Sequence, residues 1–180
     1  HSPVMPVESR KSVSPRPAIL WLWLLLVATP LPAAPLSEGV MDSDTAEKIT
    51  SAYNAGMQAF AKQDWSGAIQ QLEMAISILE GFPDKKATVE PRKRFAPVYF
   101  TIGAAAFNLP DYPKSIKAFE TFMGEWPTHE KVPEAKLAVA RACFSDKQYD
   151  KAQGLFAEME KFPTLRDQAL AIQAQCFKET

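Results

Sequence analysis

The chain has 180 residues, enough for one domain of ordinary size or a short array of repeats. It is 47% hydrophobic and 23% charged, a balance that suits a folded soluble protein and excludes an extended disordered one. Its formal net charge of −1 speaks against a general nucleic-acid binder, which carries a basic excess or stripe.

Residues 1–35 stand apart from the rest. Arg10, Lys11 and Arg16 precede an apolar run over 18–27, and Thr29, Pro30, Pro32, Ala33, Ala34 and Pro35 follow it. A basic start, an apolar stretch of about 10 residues and a small-residue exit mark a secretory signal peptide. A membrane-spanning helix needs about 20 apolar residues, so export is expected, with an uncleaved anchor as the alternative. Cleavage is expected near Ala33 or Ala34, and residues 36–44 read as a polar linker.

From there the chain is rich in Ala, Lys, Glu and Gln, which favour helix. Asp44, ahead of Thr45, Ala46 and Glu47, is expected to cap a helix over 45–62. A second helix is expected over 65–80, with Ala68, Ile69, Leu72, Ala75, Ile76 and Leu79 at helical spacing and Gly81 and Pro83 beyond its end. Residues 81–94, GFPDKKATVEPRKR, hold five of the 20 Lys and Arg. They read either as a small basic contact patch or as a solvated loop with a helix start.

The stretch over 99–127 gives two more helices, split at Asn108, Leu109, Pro110 and Asp111. Tyr99, Ile102, Ala106 and Phe107 share one helix face; Ile116, Phe119, Phe122 and Met123 share the other. Gly103, Ala104, Ala105 and Ala106 carry so little bulk that a second helix can approach this backbone closely, and Pro127 closes the unit. A third pair is expected over 133–145 and 149–162, closed by Pro163, and a last helix begins near Leu165 and carries Ala169, Ile172, Cys176 and Phe177.

The pairs share a register. Phe60, Phe107, Phe144 and Phe177 recur at intervals of 47, 37 and 33 residues. The aromatic that opens each second helix, Trp65, Tyr112 or Tyr149, follows its Phe by five residues every time. A small residue comes three places later (Ala68, Ser115, Ala152) and a bulky one four places after that (Leu72, Phe119, Phe156). Periods of this size mean stacked helix pairs. The fold expected is all-α, a short α-solenoid of antiparallel helix pairs. Cys143 and Cys176 fall at matching places in two successive units and read as small buried residues, with a disulfide as the other reading.

These residues resemble the tetratricopeptide repeat family, whose pattern runs from a bulky residue through Leu-Gly, Tyr and Ala-x-x-x-Phe to Pro. The second unit supplies Tyr99, Ile102, Gly103, Ala106, Ser115, Phe119 and Pro127; the first supplies Ala55, Gly56, Ala59, Ala68, Leu72 and Pro83. The third departs most, with Val139, Ala140, Cys143, Ala152, Phe156 and Pro163. The resemblance covers residues 45–180, as units over 45–83, 95–127 and 132–163 with a half unit over 165–180. The closing phrases Gly124-Glu125-Trp126-Pro127 and Lys161-Phe162-Pro163 also look like the bacterial cell-envelope branch of that family.

The resemblance implies a right-handed superhelix whose first helices line a concave groove for partner segments. Tyr53, Met57, Phe60, Phe100, Phe107, Arg141 and Phe144 are the groove residues it implies, with Ala104 and Leu137 between them. Arg141 is the one charge in that set, so an apolar, aromatic-lined groove is implied and not a clamp of basic residues. The Phe60, Phe107, Phe144 and Phe177 stripe has two readings, groove lining or packing between helices.

Catalytic signals are missing from the sequence. His1 and His129 are the only histidines, and His129 falls in the loop after Pro127. There is no triad arrangement, no metal-ligand spacing, no phosphate loop and no dinucleotide fingerprint, so no catalytic, cofactor or metal residues are expected. The expected function is a non-enzymatic protein–protein interaction scaffold in the bacterial periplasm or cell envelope. It would bind a protein or peptide partner, with no nucleic acid and no small-molecule substrate. The alternatives are an accessory repeat region of a larger exported enzyme and an envelope-assembly factor. The last half unit ends on Cys176 and Phe177, which implies further repeats beyond Thr180 or self-association.

Overall fold

A computed structural model describes residues 41–84, 88–159 and 161–179, and the expected signal peptide lies outside them. Eight helices and no strand make up the described residues, so the fold class is all-α. They are α1 (Ser43–Ala61), α2 (Trp65–Gly81), α3 (Val89–Lys93), α4 (Ala96–Asn108), α5 (Tyr112–Glu125), α6 (Val132–Ser145), α7 (Tyr149–Met159) and α8 (Pro163–Glu179).

Three helical hairpins, α1–α2, α4–α5 and α6–α7, turn at the expected places, and the turns share one geometry. The first helix ends in a Schellman motif, which ties up carbonyls left open at a helix end. In the first turn Asp64 N–H donates to Ala59 O (2.9 Å) and Gln63 N–H donates to Phe60 O (2.9 Å). In the third, Gln148 N–H donates to Cys143 O (2.8 Å) and Lys147 N–H donates to Phe144 O (3.0 Å). The second keeps the outer bond, Asp111 N–H to Ala106 O (2.9 Å). Pro110 has no N–H for the inner one. The residue that closes the motif then opens the next helix: Asp64 accepts from Gly67 N–H (2.9 Å) and Asp111 from Lys114 N–H (3.2 Å).

Inside each hairpin the first helix offers a small residue to a bulky one. Gly56 lies against Leu72 and Gly103 against Phe119. At the equivalent place of the third hairpin Ala140 and Phe156 are both wholly buried. The five-residue register becomes a ring contact in every hairpin: Phe60–Trp65 at 5.1 Å, Phe107–Tyr112 at 5.7 Å and Phe144–Tyr149 at 5.6 Å between centroids.

Successive hairpins contact one another in chain order. α2 packs on α4, α5 on α6 and α7 on α8, and the first helices also touch their successors, α1–α4, α4–α6 and α6–α8. The buried side chains form two clusters that meet around α4. Burying a side chain such as Leu72, Phe119 or Phe156 contributes about 1.5–3 kcal/mol each. α4 therefore has neighbours on most sides, and only Pro97, Tyr99, Ala104, Phe107 and Asn108 keep a partial surface.

Two boundary expectations need correction. The cap of α1 is Asp42, which accepts from Thr45 N–H (2.9 Å), and Asp44 lies inside the first turn. Pro163 begins α8 instead of closing α7. A proline is welcome there, because the first helical N–H has no partner within the helix. The segment after α2 holds the short helix α3 and buries Thr88, Pro91 and Phe95. Its Arg92 is no free contact, since it donates to Glu125 through Nε (3.2 Å) and Nη2 (3.3 Å) and lies 3.9 Å from Glu80. Lys85 and Lys86 lie outside the described residues.

Candidate functional site: a strip on the first helices

Burial sorts the seven expected groove residues. Tyr53, Phe60 and Phe100 are core residues, at 2%, 5% and 4% exposure, and have no surface to offer a partner. Phe100 packs edge-on against Phe119 (5.2 Å) and Phe122 (5.5 Å), and the Lys131 ammonium covers its ring at 5.4 Å. The groove expectation is corrected for these three. Leu137, at 1%, is buried too. Phe107 and Phe144 keep a partial surface but lie against the rings of Tyr112 and Tyr149. For Phe60, Phe107 and Phe144 the stripe is packing within each hairpin; the Phe177 side chain lies outside the described residues.

What stays at the surface is a narrower row. Met57, Ala104 and Arg141 occupy equivalent places, since 57 + 47 = 104 and 104 + 37 = 141, and all three are partly exposed. Their neighbours on the adjoining first helices hold the row together. Met57 Sδ lies 3.9 Å from Thr101 Oγ1, and Arg141 Nη2 donates to Gln168 Oε1 (3.0 Å). Thr101 is fully buried, its hydroxyl donating to Pro97 O (2.7 Å).

Arg141 is the one group of the row with unspent polarity. Burial holds its guanidinium below the usual arginine range. Its Nε is buried and meets no acceptor among the described residues. One carboxylate oxygen of Glu134, two turns earlier on α6, is buried and unpartnered in the same way. A buried polar atom without a partner costs about 1–3 kcal/mol, so α6 carries a local deficit here. Gln168 and Glu134 were not singled out in the sequence. Met57, Ala104 and Arg141 themselves are among the places that the resemblance implies.

The remaining reactive groups are occupied. His129 is half-buried; its Nδ1 accepts from Lys131 N–H (3.1 Å) and its ring lies against Phe122 at 5.1 Å. Cys143 is a buried free thiol, pushed up by that burial, and the Cys176 side chain lies outside the described residues. Among the described residues no group of three His, Cys, Asp or Glu side chains comes together to hold a metal. An open concavity of about 450 Å³ lies between the start of α1 and the end of α2, but the Asp42 carboxylate on its rim is spent on the helix cap. Among the described residues no helix is long and apolar enough to cross a membrane.

No protein-family model matches the chain, and no curated protein matches it.

Proposed function

We propose that the chain is an exported interaction scaffold, a short right-handed solenoid of tetratricopeptide-like helix pairs. A segment of a partner protein lies along the first-helix row of Met57, Ala104 and Arg141 in this reading. The observation that carries it is that Met57, Ala104 and Arg141, equivalent positions on the first helices of the three hairpins, are all partly exposed. The flanking positions of α4 and α6, such as Thr101 and Ala138, are buried. A partner meets the small Ala104 at its centre, with Met57 at one end and the Arg141 guanidinium at the other. The scaffold performs no chemistry of its own, and the basic–apolar–small pattern of residues 10–35 supports export to the periplasm or envelope.

The test is site-specific photo-cross-linking in the producing cell. A photoreactive residue in place of Ala104 is expected to trap a defined partner, and one in place of the exposed Met74 on α2 is not. Equal capture from both places, or none from 104, overturns the proposal. N-terminal sequencing of the mature protein tests export; a product that still carries Trp21 and Trp23 contradicts a cleaved leader.

A further inference from the structure

Two ion pairs join successive second helices at equivalent places. Glu73 on α2 accepts from Lys114 on α5 (2.9 Å), and Glu120 on α5 accepts from Lys151 on α7 (3.2 Å). The acids differ by one period, 73 + 47 = 120, and the lysines by the next, 114 + 37 = 151. The series stops at both ends, where the matching positions are Gly67 (114 − 47) and Ala157 (120 + 37). α2 and α5, and likewise α5 and α7, share few other contacts. Each hairpin instead holds the next mainly through its first helix, which packs on both helices of the hairpin before it.

That arrangement is a lever. Packed apolar side chains fix one edge of the stack, as where α2 and α5 pack on α4 and α6, and they respond weakly to salt. The other edge is closed by exposed charges, which salt screens. We infer that the two rungs set the spacing of α2, α5 and α7, so that ionic strength controls the curvature of the stack. Screening the rungs lets the second helices move apart, and the first-helix row closes as they do. This inference rests on the order of helix contacts and stands whether or not the row binds a partner.

Resonance energy transfer on the full chain tests it. Gln70 on α2 and Ala157 on α7 are exposed, and each is replaced by Cys for labelling after Cys143→Ala and Cys176→Ala remove the native thiols. The Debye length falls from about 30 Å at 0.01 M salt to about 3 Å at 1 M. Transfer efficiency is expected to fall over that range in the otherwise native chain. In Lys114→Gln/Lys151→Gln it is expected to start low and to fall much less, since only the Arg92 link between Glu80 on α2 and Glu125 on α5 is left to screen. Exchanging the charges of both rungs (Glu73→Lys, Lys114→Glu, Glu120→Lys, Lys151→Glu) is expected to restore the salt response. If the neutral variant fails to fold, the exchanged variant carries the test by itself. A flat native profile, a native-like response in the neutral variant, or no response after exchange overturns the inference.

Discussion

Gly103 sits beneath the ring of Phe119. A Cβ at position 103 would lie 2.8 Å from both Cδ2 and Cε2 of that ring, closer than carbon atoms approach. Phe119 is itself buried at 1% exposure and pressed by Phe100 at 5.2 Å, so it has nowhere to move. Gly103→Ala therefore forces α4 and α5 apart. It is expected to cost about 1–3 kcal/mol, read as a lower denaturant midpoint. Phe119→Leu in the Gly103→Ala background should recover part of the loss. Fully additive losses would show that the two positions do not meet.

Ser115 reaches the same backbone from the other helix. Its hydroxyl donates to Gly103 O (2.8 Å) and is wholly buried, where the other hairpins carry Ala68 and Ala152. Ser115→Ala is expected to cost about 0.5–1.5 kcal/mol, the net value of one hydrogen bond. Ser115→Val adds bulk at a closed contact and should cost more. Urea titration of both variants separates the two effects.

The turns carry correctable strain. Gln63 and Lys147 have φ of 63° and Pro110 has φ of 30°, a region that favours glycine. Gln63→Gly and Lys147→Gly are each expected to stabilise by a few tenths to about 1 kcal/mol, because relief of the left-handed penalty exceeds the added freedom of the unfolded chain. Pro110→Gly should gain more. It removes a ring that prefers φ near −65° and restores the N–H that the other turns donate to Phe60 O and Phe144 O. Thermal melts check the order. A loss at all three positions would contradict the turn geometry.

The third turn lacks the carboxylate that caps α2 and α5. Gln148 stands where Asp64 and Asp111 stand, and its side-chain amide donates to Asp146 (2.6 Å). Gln148→Asp is expected to stabilise by about 0.5–2 kcal/mol at neutral pH. The gain should vanish as pH falls below the carboxylate range.

Alkali should weaken the fold in steps. Burial pushes up both the Cys143 thiol and the Tyr53 phenol, so each keeps its proton longer folded than unfolded. The stability this confers is complete below the unfolded pKa, about 8.5 for a thiol and about 10 for a phenol, and is lost as pH rises above it. Denaturation at pH 7 and 9.5 should show the first step, and Cys143→Ala should remove most of it.

The helices and their hairpin turns were legible because the sequence repeats its own punctuation. The turns ahead of Trp65 and Tyr112 fall where expected, though the sequence marks their caps Asp64 and Asp111 only as turn residues, and the Phe-to-aromatic interval of five became a ring contact three times. Which residues reach the surface was less legible. Helical spacing assigns a side chain to a face but not the number of neighbours around the helix. α4 is flanked by α2, α5 and α6, so Phe100 is core although it lies on a first helix. The absence of any charge from Ala96–Asn108 was the available signal, since a helix apolar on every side is a buried one. Arg92 stays partly exposed, as a basic residue in a polar stretch should, but its partner Glu125 lies on α5, where no local spacing points to it.

Order along the stack is the central claim, and pairwise cross-linking reads it directly. Cysteines replace Met57, Ala104 and Arg141 two at a time, with Cys143→Ala and Cys176→Ala, and a short bis-maleimide is applied to the full chain. Linkage within one molecule is expected for 57 with 104 and for 104 with 141, and not for 57 with 141. Ready linkage of 57 to 141, or failure of both neighbouring pairs, would mean that the hairpins do not lie side by side in chain order.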